Sequence, residues 1–213
     1  MALLDFLLPP ACAGCGTVGS IVCRACIGRF RAPSAAEDRF VAPDSGTVIG
    51  DALLLAVAAF AYEGPLRRAL AALKYSGAAR VARPLADAAQ PSLTQLGQVS
   101  GPPTLVPVPV HVERLRARGY NQAELIASAA APPEWPVTNA LRRVRPTTKQ
   151  HRLDRTARLQ NMRGAFQPVG SVPTTVILVD DILTTAATLE ACAVVLRAAG
   201  AEAVYGFAVA REV

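Results

Sequence analysis

Three groups of residues in this chain have types and spacings that could do chemistry. The first is Asp180-Asp181-Ile182-Leu183-Thr184-Thr185-Ala186-Ala187-Thr188, two adjacent carboxylates followed by three hydroxyls. Five β-favouring residues, Thr175 to Val179, lead into it, and a helical pattern starts near Thr188, so the segment reads as strand, turn, helix. The carboxyl end of a strand is where open α/β sheets put ligands. Backbone N–H groups at a helix start, joined by the Thr184, Thr185 and Thr188 hydroxyls, form a nest for a phosphate. Two carboxylates would repel that phosphate. They fit a ligand that also carries hydroxyls able to donate to Asp180 and Asp181, as the pair on a ribose can. The competing reading is a strand and capped helix joined by a solvated Asp-Asp turn, an expensive turn because the two acids end an all-apolar strand.

The second group is Cys12-x-x-Cys15 and Cys23-x-x-Cys26. A two-residue spacing lets two thiolates from one turn reach the same tetrahedral ion, and Gly14 and Gly16 give the first turn freedom to wrap it. The two pairs suit a structural zinc, which would hold together a segment too short to build its own core in a reducing compartment. A disulfide pair is one alternative. An iron–sulfur cluster is another, although cluster ligands usually have different spacings. Cys192, between Ala191 and Ala193 on an apolar helical stretch, reads as a core residue.

The third group is basic. The chain's net charge is +6, and of its 22 basic residues only Lys74 and Lys149 are lysines. From Glu113 to Arg163, ten Arg and one Lys meet three Glu and one Asp, a local +7 that exceeds the charge of the whole chain and calls for an anionic partner. For Arg114, Arg116 and Arg118 the alternative is the solvated basic face of an amphipathic helix. His111 and His151 are general-base candidates by type, but a histidine in a basic run is more often a hydrogen-bonding or phosphate residue.

These residues must be positioned by ordinary globular structure. With 52% hydrophobic and 18% charged residues, the 213-residue chain can bury a large core. There is room for a small module and linker over 1–46 and one α/β domain over 47–213. The opening Met1 to Leu8 is apolar but carries Asp5 and no preceding base. It is too short for a signal peptide or membrane span, and Pro9-Pro10-Ala11 is a poor approach to a lipid-modified Cys12, so a cytoplasmic protein is expected. Phe30 to Gly50 has no clear period and reads as a link. Leu53 to Tyr62 is a buried strand or helix segment, and Leu66 to Tyr75 is a helix with Pro65 in its first turn. A helix from about Arg80 to Leu96 precedes a loop from Gly97 to Pro103. Thr104 to Val110 alternates like a strand, but Pro107 and Pro109 remove ladder donors and place it at a sheet edge or into an irregular turn. A helix to about Ala130 follows. Late in the chain, a helix from Leu189 to Ala199 stops at Gly200, and Ala203 to Val209 is a last strand. The repeated strand–helix order implies a mostly parallel sheet flanked by helices.

The Asp180–Thr188 segment resembles the phosphoribosyl-pyrophosphate (PRPP) loop of the type I phosphoribosyltransferases: a hydrophobic strand, two acids, two residues of any kind, Thr-Gly or Thr-Thr-Gly, one residue and Thr. Ala186 stands where that family usually has glycine, which lets the backbone approach a phosphate and reach positive φ. Val106-Pro107-Val108-Pro109 followed by Arg116-Ala117-Arg118-Gly119-Tyr120-Asn121-Gln122 is similar to the ComF group (ComFC and GntX proteins). So are Lys74-Tyr75-Ser76-Gly77 and the cysteine module, and the four pieces in order cover nearly the whole chain. The resemblance implies a phosphoribosyltransferase-type sheet with PRPP and Mg²⁺ at Asp180, Asp181, Thr184, Thr185, Ala186, Ala187 and Thr188. It puts the turn after Val110 in the place of the pyrophosphate loop. Lys74, Arg114, Arg116, Arg118 and Lys149 then face phosphate oxygens, which a fork of guanidinium groups suits. The segment from Arg142 through His151, with Arg152, Arg155, Arg158, Asn161 and Arg163, matches a hood that orders over ligand.

Two functions from different classes follow. One is a phosphoribosyltransferase acting on PRPP, with an acceptor that the sequence does not name. The other, implied by the ComF resemblance, is a single-stranded DNA-binding protein of competence, working with the uptake machinery through the basic run and the zinc module. For that role the nearest aromatic platforms are Tyr120, Trp135 and Phe166.

Overall fold

Val176, Ile177, Leu178 and Val179 are all fully buried. Four consecutive strand residues point alternately to the two faces of a sheet, so both faces of this sheet must be covered. The computed structural model describes residues 9–34, 52–146, 162 and 164–212. In chain order the elements are α1 (Arg24–Ile27), β1 (Leu55–Ala61), α2 (Gly64–Tyr75), a 3₁₀ turn (Ala79–Val81), α3 (Ala82–Ser100), β2 (Thr104–Pro107), α4 (Val112–Arg118), α5 (Gln122–Ala130), β3 (Leu141–Arg143), β4 (Phe166–Pro168), β5 (Thr175–Leu183), α6 (Ala187–Ala198) and β6 (Ala203–Arg211). The main sheet has the order β1-β6-β5-β2, and every neighbouring pair is parallel. The expected parallel α/β class is what forms. The proline-bearing β2 takes an outer position in this sheet, where missing ladder donors do least harm.

Leu105, Ile177, Val179 and Phe207 face a core shared with Leu70 of α2, Leu93 of α3 and Ile126 of α5. Val106, Val176, Leu178 and Ala208 face the opposite core, with Leu189, Cys192 and Leu196 of α6 and Leu141 and Phe166 of the antiparallel β3–β4 pair. The segment after β2 therefore covers one face through α5, and the segment after β5 covers the other through α6. The carboxyl ends of these adjacent strands flank a topological switch point, the place where doubly wound sheets open a ligand crevice.

The cysteine lobe is seated on α2. Cys12, Val22 and Cys26 share a core with Leu66, Arg68 Nε donates to Gly14 O at 2.5 Å, and the Phe30 and Phe60 rings meet edge to face at 5.3 Å. Because Arg31 O also accepts from Ala61 N at 2.8 Å, the chain is still packed where the link was expected to begin. The boundary expected between residues 46 and 47 lies outside the described residues.

Three elements differ from expectation. The strand expected to stop at Val179 continues through Leu183, so the acidic pair lies within β5. Helix α3 runs through Gly97 to Ser100, and position 97 has a packing reason to be glycine: a Cβ there would lie 1.9 Å from the Trp135 ring. Arg142 and Arg143, read as part of a hood, are in strand β3. Lys149, His151, Arg152, Arg155, Arg158, Asn161 and Arg163 lie outside the described residues. Among the described residues, no helix is long and apolar enough to cross a membrane.

Candidate functional site

Val108 N donates to Val179 O at 2.9 Å, which brings the segment after β2 alongside the acidic end of β5. Asp181 is buried there, with its carboxylate 2.8 Å from Lys74 Nζ; the two side chains are 4% and 19% exposed. Burial pulls the Lys74 ammonium down, but the charges of Asp181 and Asp180 outweigh it and leave the group above its ordinary value. Asp180 accepts from Asp181 N at 2.8 Å. Burial first, and then the charge of Asp181, push its carboxyl up to about 7 against the opposing pull of Lys74. The site thus holds one carboxylate tied to a cation and a neighbour whose charge is poorly compensated.

Lys74 reaches this place because the last turn of α2 is fastened there. Tyr120 donates its hydroxyl to Leu73 O at 2.6 Å. Asn121 caps α5 by accepting from Ala123 N at 3.1 Å and donates to Val108 O at 3.1 Å. Arg118 donates to the Gln122 side chain. The Arg-Gly-Tyr-Asn-Gln segment, singled out as a family signature, is therefore a strut between the Lys74 end of α2 and the turn after β2. His111 is the N-cap of α4, its Nδ1 accepting from Glu113 N at 3.5 Å, which is a structural use of a general-base candidate.

After β5 the chain makes its turn at Thr184 to Ala186. Ala186 has φ 58°, the only positive φ at a non-glycine position among the described residues, and it is 3% exposed. It is the N-cap of the twelve-residue α6 and makes no side-chain capping bond. Thr184 is exposed, and Thr185 and Thr188 are partly exposed. The backbone conformation that glycine would supply is thus present with alanine in place.

The basic candidates divide. Arg114 and Arg116 are exposed on α4, a helix with no buried residue. Arg143 lies with its guanidinium 5.5 Å from the Phe166 ring centre. Burial first, and then the Arg114 charge, lower its pKa, with Cys192 and Asp180 acting in the opposite direction. Cys192 is itself pushed well above its ordinary value by burial and by Asp180. Arg143 thus sits over Phe166, which shares the α6-side core with Cys192, and both Arg143 and Cys192 feel the Asp180 charge. Phe166 is buried, the Trp135 ring packs on Gly97, and Tyr120 is partly buried with its hydroxyl bound to Leu73 O. The aromatic exposed beside the site is Tyr75, at 68%. Sequence reasoning also missed Glu190, a buried carboxylate that accepts from Ala52 N at 3.3 Å and Leu53 N at 3.1 Å and ties the first turn of α6 to the start of β1. A lone acid in an otherwise apolar helix was the available signal.

The four cysteine Sγ atoms of the lobe all lie within 4.8 Å of one another, with Cys12–Cys26 and Cys15–Cys23 each at 3.7 Å. A tetrahedron with Zn–S bonds of about 2.3 Å has S···S edges of about 3.8 Å, so the thiols present fit a zinc ion. Disulfides would need S–S bonds of about 2.0 Å, and all four thiols are free. Gly14 N and Cys23 N point at Cys12 Sγ at 3.4 and 3.2 Å, the outer hydrogen bonds a thiolate ligand uses. Gly14 also has a packing reason to be glycine, since a Cβ there would lie 2.8 Å from Cys26 Sγ. Without a cation the thiols are unequal: the Thr17 hydroxyl brings Cys15 down to about 6, and burial pushes Cys26 up to about 12. A bound metal would take all four as thiolates.

Fold and site together define a doubly wound α/β domain with an acidic, hydroxyl-rich loop at its switch point and a four-cysteine lobe. No protein-family model matches the chain. It is similar to competence protein F of Haemophilus influenzae, at 34% identity over 122 residues, 54% of this chain and 52% of that protein. It is also similar to DNA utilization protein YhgH of Escherichia coli, at 30% over 152 residues, and of Salmonella typhi, at 29% over 153 residues, in each case 67% of this chain and 66% of the relative. The match spans about half the length of the first relative and just under two thirds of the others. These similarities agree with the resemblance to the ComF group carried by the sequence motifs.

Proposed function

We propose that this chain binds PRPP, or a closely related ribose phosphate, in the crevice between the carboxyl ends of β5 and β2, and that it serves DNA uptake or utilisation. The observation that carries the reading is the convergence there of Asp180, Asp181 and the Thr184–Thr188 turn with Lys74. The positive-φ backbone at Ala186, leading into an N-terminus without a side-chain cap, suits the 5-phosphate. The acidic pair suits the ribose hydroxyls. Arg114 and Arg143 supply the cationic side that a diphosphate would meet, while Lys74 is engaged by Asp181. Mg²⁺ bound with the diphosphate would neutralise part of its charge, and the poorly compensated carboxyl of Asp180 fits a site that gains from a cation or a donor. Phosphoribosyl transfer, if an acceptor enters, would draw on the same cations to stabilise departing pyrophosphate.

The names of the relatives, competence protein F and DNA utilization protein, support the link to DNA. Binding of single-stranded DNA without transfer is the weaker second reading, because Trp135 and Phe166 are packed inward and leave phosphate contact as the main means of holding a strand.

The test is a titration with PRPP and Mg²⁺ of the unaltered protein and of the Asp180→Asn/Asp181→Asn double variant, with circular dichroism to check the fold. Each lost charge-assisted bond is worth about 1.5 to 3 kcal/mol, so affinity should fall at least tenfold. A loop that binds only phosphate would instead gain affinity when negative charge is removed. Unchanged or tighter binding would defeat the ribose assignment.

A further inference from the structure

We propose that the two adjacent carboxylates have separate duties: Asp180 meets the ligand, while Asp181 is a positioning residue that acts through Lys74 to hold the end of α2 at the crevice. The proposal rests on the PRPP reading and refines it.

Strand alternation starts the two side chains in different surroundings. Asp181 continues the Ile177 and Val179 series, on the face covered by α2, α3 and α5. Asp180 continues the Val176 and Leu178 series, toward Cys192 and α6, and its carboxylate turns back to accept the Asp181 N–H. The ladder holds this arrangement in place, because Asp180 is paired with Ala208 and Ile182 with Ala210 on β6. The Asp181 side chain is 4% exposed and has an ammonium at 2.8 Å. A ribose hydroxyl arriving at Asp181 would have to displace that ammonium, exchanging a charged donor for a neutral one and leaving a mostly buried cation without its partner.

Asp180 has the opposite balance. The charges that act on it are those of Asp181, which opposes its ionisation, and Lys74, which favours it, and its own charge is felt in turn by Arg143 and Cys192. Its carboxylate accepts from the Asp181 backbone N–H, so a further donor from a ligand improves its position. Lys74 in turn is the last-turn cation of α2, followed by the exposed Tyr75 and by Gly77 at φ 65°. With Tyr120 gripping Leu73 O, the Lys74–Asp181 pair is the second fastening of this corner to the sheet. Losing it would move the rim of the crevice without removing a direct ligand contact.

The experiment is a PRPP–Mg²⁺ titration of the full chain and of the variants Asp180→Asn, Asp181→Asn, Lys74→Met and Lys74→Met/Asp181→Asn, with a thermal melt of each in the absence of ligand. The last variant removes both charges together, so neither is left buried alone and the fold is protected. Asp180→Asn should weaken PRPP at least tenfold. Whatever Asp181→Asn does to affinity should vanish in the Lys74→Met background, because both changes cut the same link. A loss from Asp181→Asn that persists undiminished without Lys74 would mean direct contact and overturn the proposal, as would unchanged affinity in Asp180→Asn. If the unaltered protein does not bind PRPP, the functional reading falls and the role of Asp180 falls with it. The role of Asp181 is then decided by the melts: non-additive shifts for Lys74→Met with Asp181→Asn uphold it, and additive shifts overturn it.

Discussion

Removing metal from the cysteine lobe should unfold the lobe and leave the sheet standing. Among the described residues 9–34, the buried apolar groups are Val22 and two of the thiols themselves, Cys12 and Cys26. Burying one valine is worth about 1.5 to 3 kcal/mol. Structural zinc in small domains contributes about 10 to 16 kcal/mol of coupled binding and folding free energy. The ion is the larger contribution by several-fold, and the seam to α2, formed by Arg68 with Gly14 and Phe30 with Phe60, is too small to replace it. The main core does not depend on the lobe in the same way, because Leu70 and Leu73 are packed together with Leu85 and Leu93 of α3. Protein purified without chelator should hold one zinc per chain. Chelator, or Cys26→Ser, should open the 12–31 segment to protease while the sheet domain resists and far-ultraviolet dichroism changes little. A metal-free lobe that stays protected, or iron recovered together with sulfide, would refute the reasoning.

Other consequences follow from single positions. Asp180 has its folded value raised from 3.8 to about 7 by burial and by Asp181, so the stability it contributes is complete below about pH 4 and is lost as pH rises through about 7. Asp180→Asn should therefore flatten the dependence of melting temperature on pH between those limits in ligand-free protein, and an unchanged slope would show that the carboxyl is well solvated. Ala186→Gly relieves a left-handed alanine at about 1 kcal/mol but loses a buried methyl and adds chain entropy of similar size, so its melting point should stay close to that of the parent. Ala186→Val, β-branched in that conformation and buried, should destabilise by about 2 kcal/mol or more in urea titration. Gly97→Ala should destabilise by about 1 to 3 kcal/mol, because the new Cβ falls within the Trp135 ring, and Trp135→Leu should restore much of the loss.

Local chemistry was legible in the chain itself. Cys-x-x-Cys spacing acts over single turns, so residues three and fourteen positions apart could be assigned to one site before any fold was known, and the four Sγ atoms do converge. The acidic pair at the end of an apolar run, the prolines that send β2 to an outer position and the strand–helix rhythm of a parallel sheet are likewise short-range signals. What depends on distant pairing was not legible. Nothing in the order of residues says that Lys74 would lie against Asp181 rather than against a phosphate, since that ion pair closes a loop of more than a hundred residues and exists only because the last turn of α2 is held at the switch point by Tyr120. The packing of Trp135 onto Gly97, a helical residue expected to lie in a loop, and the burial of Phe166 beneath Arg143 have the same origin. Periodicity and spacing report what a residue prefers among its neighbours in sequence. Which of two equivalent partners a buried charge takes, or which ring fills a gap, is decided by close packing between segments that the sequence keeps far apart.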